Sequence, residues 1–163
     1  MIGKQKDKSV KELKKIYERL QKKFNLPNFS ELNELFDIEE ISFETDFLLR
    51  RIRRTIIEKI SIYFRLVEVI LNPSTAPLFF FRKIKKLAQM DRDLLSSNYE
   101  TIGNLEAEAI ILDLRYSEEK EAEFIKKIFS TFNIIKKDIS KIIEILITEK
   151  NNETRETKGS YLG

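Results

Sequence analysis

Only four Gly and three Pro punctuate 163 residues, and two of the glycines, Gly159 and Gly163, fall in the last five positions. Sheets need frequent tight turns, and tight turns need residues that reach positive φ or preset it. A chain this poor in both is restricted to long helices joined by few connections. At this length a single domain buries roughly 70% of its unfolded surface. A content of 42% hydrophobic and 35% charged residues suits a globular chain better than a disordered one. The expected fold is therefore all-α: a single irregular bundle of five to seven helices over residues 1–149, with a disordered C-terminal tail at 150–163.

Apolar periodicity locates the helices. Ser9 and Glu12 form a capping box, and Leu13, Ile16, Tyr17, Leu20 and Phe24 recur at helical spacing, which predicts a first helix over about 10–24. It should stop before Pro27, whose ring disfavours helix in the residue ahead of it. A short acidic helix over 30–36 takes Ser30 as its cap, and 37–43 reads as an irregular connection. The longest element is a central helix at about 44–71, with Leu49, Ile52, Ile56, Ile60, Tyr63, Val67 and Ile70 within one arc of roughly 80°. Arg50, Arg54, Glu58, Ser61, Arg65 and Glu68 lie opposite, while Ile57, Phe64 and Leu71 make a second apolar edge. Arg53 sits beside that edge, its stem placed for burial and its head for water or an acid.

The segment Asn72-Pro73-Ser74-Thr75-Ala76-Pro77 is the clearest break in the chain. A helix over about 77–89 follows, with Phe80, Ile84 and Leu87 on one face; Asp91, Asp93 and Ser96-Ser97-Asn98 are places to interrupt or restart it. Segment 99–116 contains Gly103 and an alternating Leu112-Asp113-Leu114-Arg115-Tyr116, but a lone strand would lack a partner, so helix is favoured. Ser117 before Glu118 and Glu119 opens a further helix, with Ile125, Ile128, Phe129 and Phe132 inward. A last helix over about 134–149 repeats Ile135, Ile139, Ile142, Ile143 and Leu146.

A net charge of +3 conceals strong segregation. Segment 1–26 carries nine bases against three acids, 27–46 seven acids and no base, and 47–90 ten bases against two acids. Segment 91–124 returns to ten acids against three bases. Such a chain either presents a basic face to a partner or neutralises itself on folding.

Several chemistries are absent. Without Cys or His the chain has no thiolate nucleophile, no disulfide, and neither the commonest general base nor the commonest transition-metal ligand. Gly3, Gly103, Gly159 and Gly163 fit no phosphate-binding loop. The acids Glu106, Glu108, Asp113, Glu118, Glu119, Glu121 and Glu123 read as helix-start electrostatics and solvated charge rather than a metal site. Nothing singles out a Ser–Lys pair among many Ser and Lys. The charged N-terminus leads into no apolar core of a signal segment, which makes a cytoplasmic location the expectation.

The candidate binding residues are basic. Arg50, Arg51, Arg54 and Arg65 lie along the outer face of the central helix, where guanidinium forks suit phosphate oxygens or carboxylates. Arg82, Lys83, Lys85 and Lys86 form a second group beside Phe79-Phe80-Phe81. Opposing this reading, Arg54–Glu58 and Arg65–Glu68 have ion-pair spacing, and the acidic 27–46 segment is placed to fold back over the stripe. This layout of a long Arg-bearing central helix among acidic and basic helices is loosely similar to the helical domains of archaeal GINS replication-complex subunits. Those subunits normally add a small β-domain, which this sequence lacks, and the resemblance supplies no site residues.

The first expectation is a non-catalytic helical interaction module that contributes surface to a protein or nucleoprotein assembly, through a protein partner or self-association. The alternatives are direct, salt-sensitive nucleic-acid binding through the basic stripe, and an enzyme using carboxylates or a Ser–Lys pair. No catalytic residue, cofactor or metal is implied.

Overall fold

The central helix is α3, Leu48–Leu71, and three of the other helices pack directly on it. In the computed structural model residues 2–41 and 46–148 are described, the side chains of 2–8, Thr75 and Phe79 excepted. The expected tail at 150–163 lies outside the described residues, as do positions 44 and 45 of the expected central helix. In order the described chain forms α1 (Ile2–Phe24), α2 (Phe29–Phe36), a 3-10 turn (Ile38–Glu40), α3, a second 3-10 turn (Pro73–Thr75), α4 (Leu78–Lys85), α5 (Gln89–Leu114) and α6 (Glu118–Thr148). It is an all-α bundle with no strand among the described residues.

Helices α3, α5 and α6 form the centre. Phe64 stacks on Tyr99 with ring centroids 4.4 Å apart, Ser61 donates to Glu106, and Arg54 reaches Asp113. The α5 numbers rise as the α3 numbers fall, so the two helices are antiparallel. Arg53 meets Glu121 and Tyr63 meets Phe132, so α6 runs parallel to α3. Leu49, Ile52, Ile56, Ile60, Val67 and Ile70 are buried as their spacing predicts, and Tyr63 is half-buried. Ile128, Phe132, Ile135, Ile139 and Ile142 supply the opposing face from α6. Helices α1 and α2 close one side, where Tyr17 packs edge-on against Phe29 and donates its hydroxyl to the Pro27 carbonyl at 2.8 Å.

Several local expectations are corrected. Helix α1 begins at Ile2, so Ser9 and Glu12 lie inside it rather than at its start, and Asp46 and Phe47 form a turn ahead of α3 rather than its first residues. The cap of α2 is Asn28, whose side-chain oxygen accepts from the Ser30 N–H at 2.9 Å; Ser30 itself lies inside the helix. Helix α4 ends at Lys85 rather than near 89, because Ala88 is extended and starts α5 instead. The Ser96-Ser97-Asn98 cluster does not interrupt α5, since Asn98 turns inward and its amide donates to Asp138 at 3.2 Å, and Thr101 bonds back to the Ser97 carbonyl. The two helices expected after Ser117 are one of 31 residues. Asn133, at the expected boundary, donates to the Phe129 carbonyl at 3.0 Å while Phe132 and Ile135 continue the buried face.

Candidate functional site

The N-terminal end of α3 meets the corner between α5 and α6, and there the basic and acidic blocks of the sequence come together. Arg53 is 1% exposed and Glu121 is fully buried. The Arg53 Nε donates to Glu121 Oε2 at 2.6 Å, and its Nη2 donates to Asp113 Oδ1 at 2.7 Å and to Glu121 Oε1 at 3.3 Å. Arg54 donates to the same Asp113 oxygen from Nε at 3.1 Å and Nη2 at 2.8 Å. Arg50 donates from Nη2 to the Asp113 carbonyl at 3.3 Å, and its guanidinium carbon stands 4.7 Å from the Tyr116 ring centroid. The Arg50 Nε is buried without a hydrogen bond, 3.8 Å from Glu121 and 4.0 Å from Asp113.

Three guanidiniums thus share two carboxylates, leaving the cluster one positive charge. Burial pulls the Arg53 pKa down, but its bonds to Glu121 and Asp113 more than offset this and hold it above its ordinary value. Hydrogen bonding from Arg53, then Arg54, holds the Asp113 carboxyl below the usual carboxylate range against some opposing burial. Burial, joined by the nearby charges of Glu118 and Glu121, raises the Tyr116 phenol. Glu121 lies in the first turn of α6, where unpaired N–H groups also favour negative charge.

Among the described residues the acids that engage Arg50, Arg53 and Arg54 therefore come from 91–124 and not, as the charge order suggested, from 27–46. From the latter segment Asp37 pairs with Lys59, and Asp46 lines an open hollow of about 270 Å³ with Phe47, Arg50, Arg51 and Arg54. The expected Arg54–Glu58 and Arg65–Glu68 pairs are not formed; Arg54 reaches across to Asp113 instead. Arg51 and Arg65 are exposed and make no ion pair among the described residues. Of the second basic group, Lys83 is half-buried and donates to the Leu146 carbonyl near the end of α6, while Arg82, Lys85 and Lys86 are exposed. Lys85 stands 4.5 Å over the Phe81 ring. Arg50, Arg51 and Arg54 stand at the N-terminal end of α3, Arg65 lies roughly 17 Å further along it at 1.5 Å per residue, and the second basic group belongs to α4 and its C-cap.

Beside the cluster lies a feature the sequence reading missed. The buried face of α5 is formed by Leu95, Ile102, Leu105, Ala109 and Leu112. Directly opposite, at 107, 110, 111 and 114, stand Ala107, Ile110, Ile111 and Leu114. Ile110 is 62% exposed, Ile111 57% and Leu114 79%. An open groove of about 480 Å³ lies between α3 and α5 beside this stripe, lined by Ile57, Ala109 and Ile110 and by polar side chains that include Arg51, Arg54, Glu58 and Glu106. The signal was available: apolar residues occur at every position of 109–112, more than one buried face requires.

Among the described residues no group of carboxylates is arranged to hold a metal ion, and no helix is long and apolar enough to cross a membrane. No family model, curated protein or solved structure matches the chain.

Proposed function

We propose that the protein is a non-catalytic interaction module whose working surface is the outer face of the C-terminal half of α5. The observation that carries this reading is the exposed stripe Ala107, Ile110, Ile111 and Leu114, on a helix whose opposite face is already in the core. Contiguous apolar surface on a helix face that needs none for folding is characteristic of contact sites. The arginines support the same reading, because Arg50, Arg53 and Arg54 are engaged by Asp113 and Glu121 and fix the end of α5 against α3 and α6. They make a rigid mount for that surface. Capture of protein partners by the wild-type chain and by an Ile110→Asp, Leu114→Asp variant tests the reading. The variant should keep its helical content and lose the partners; an unchanged set of partners would refute it.

Nucleic-acid binding is the second reading, supported by the exposure and lack of ion pairs at Arg51 and Arg65 among the described residues. With the other stripe arginines bound to carboxylates, it is expected to be weak and to weaken further with salt. Arg51→Ala with Arg65→Ala should reduce binding to duplex nucleic acid at low salt; unchanged affinity excludes this surface.

A further inference from the structure

The exposed face of α5 has a charge order of its own. Glu100 lies on the same outer face as Ala107 and Leu114, toward the N-terminal end, and Arg115 immediately follows Leu114 at the C-terminal end. Both are exposed, and neither makes an ion pair among the described residues. Ala107 lies midway between Glu100 and Leu114, and it is the smallest residue in the stripe. Glu100 stands on one end of this face, Arg115 caps the helix just past the other, and a small residue lies midway, so the surface matches itself when reversed.

We infer that the occupant of this face is a second copy of the chain, docked antiparallel about a two-fold axis through Ala107; this rests on the interaction reading above. In that register Ala107 crosses Ala107 of the copy, and the small side chains let the helix axes approach closely. Ile110 and Ile111 of each chain then lie beside the crossing, and Leu114 and Arg115 reach the level of the copy's Glu100. The two-fold repeats every contact, so two Glu100–Arg115 pairs flank one apolar centre. A parallel arrangement would set Glu100 against Glu100 and Arg115 against Arg115. From Glu100 to Leu114 the face is roughly 21 Å long at 1.5 Å per residue, which places the contact in the small class below about 1,200 Å² and makes a reversible, concentration-dependent dimer.

Sedimentation equilibrium of the full chain, from low micromolar to near-millimolar concentration, reads this directly. The wild type should pass from monomer mass toward twice that mass, and Ile110→Asp with Leu114→Asp should stay monomeric with unchanged helical content. Glu100→Lys and Arg115→Glu, both at exposed positions, should each weaken the dimer roughly 2- to 30-fold, two surface pairs being lost at once. Mixing these two variants should restore wild-type association. In the mixed dimer the lysine introduced at position 100 of one chain meets the glutamate introduced at position 115 of the other, and the second pair is the native one. Monomer mass at every concentration overturns the inference, and so does a dimer that the charge variants leave unchanged or that mixing fails to restore. If the chain stays monomeric while the α5 variant still loses a protein partner, the second copy is wrong and the interaction reading stands. If the α5 substitutions alter neither, both fall.

Discussion

Replacing Glu121 with Leu should be among the most damaging single substitutions in this protein, and replacing it together with Arg53→Met should undo most of the damage. Glu121 is fully buried and Arg53 1% exposed. Removing the carboxylate deletes the 2.6 Å bond to the Arg53 Nε and the 3.3 Å bond to its Nη2, and leaves a guanidinium out of water. Breaking a buried pair from one side costs about 3–5 kcal/mol. Here the lower end applies, roughly 3 kcal/mol, because Asp113 still accepts from Nη2 at 2.7 Å. For a domain of this size that lowers Tm by about 6–12 °C. The double substitution removes both charges and refills the space with apolar side chains, so its stability should return to within about 1 kcal/mol of the wild type. The measurement is urea unfolding followed by the helical circular-dichroism signal on all four members of the cycle, with equal slopes confirming one transition. Arg53→Met alone strands the buried Glu121 carboxylate and should also cost about 3 kcal/mol, so a coupling of about 5 kcal/mol between the two sites is expected; a value below about 0.5 kcal/mol would refute the reasoning, since non-interacting sites add within that margin.

Two further perturbations have definite signs. Gly103 lies inside α5, and a Cβ there would come no closer than 3.9 Å to the Phe64 ring, an ordinary contact. Gly103→Ala should therefore raise stability by about 0.5–1 kcal/mol in the same urea assay, and a loss would show that the ring stacked on Tyr99 cannot give way. Asp113 has a folded pKa below its unfolded value of about 3.9. Its contribution is complete above that value and is lost as pH falls through the folded pKa. Thermal melts between neutral and acid pH should show a shallower acid decline for Asp113→Asn than for the wild type, and parallel curves would contradict the assignment.

The core was legible in the sequence because burial on a helix follows period and apolar type alone. Leu49, Ile52, Ile56, Ile60, Val67 and Ile70 needed no tertiary information, and neither did Ile135, Ile139 and Ile142. Scarcity of Gly and Pro sufficed for the fold class. Helix ends were less legible, since Asn98 read as a break until its amide found Asp138, and a boundary expected near 134 does not exist because Asn133 donates to the Phe129 carbonyl inside one continuous helix. Glu121 occupies the inward period that continues through Ile125, Ile128 and Phe132, but its charge and its place in an acidic run led to a solvated reading.

The sequence alone determined that this chain carries segregated charge and no Cys or His chemistry, and that it must bury helical stripes around one long helix. Only the tertiary structure decided which acids meet which arginines. Charge along a chain has no direction, whereas the antiparallel packing of α5 on α3 brings residue 113 to residues 53 and 54, about 60 positions away, and leaves the nearer acidic segment to Lys59. The same packing decided which apolar face of α5 entered the core. A helix can turn only one side toward α3 and α6, and the residues on its other side, Ile110, Ile111 and Leu114, were left facing outward.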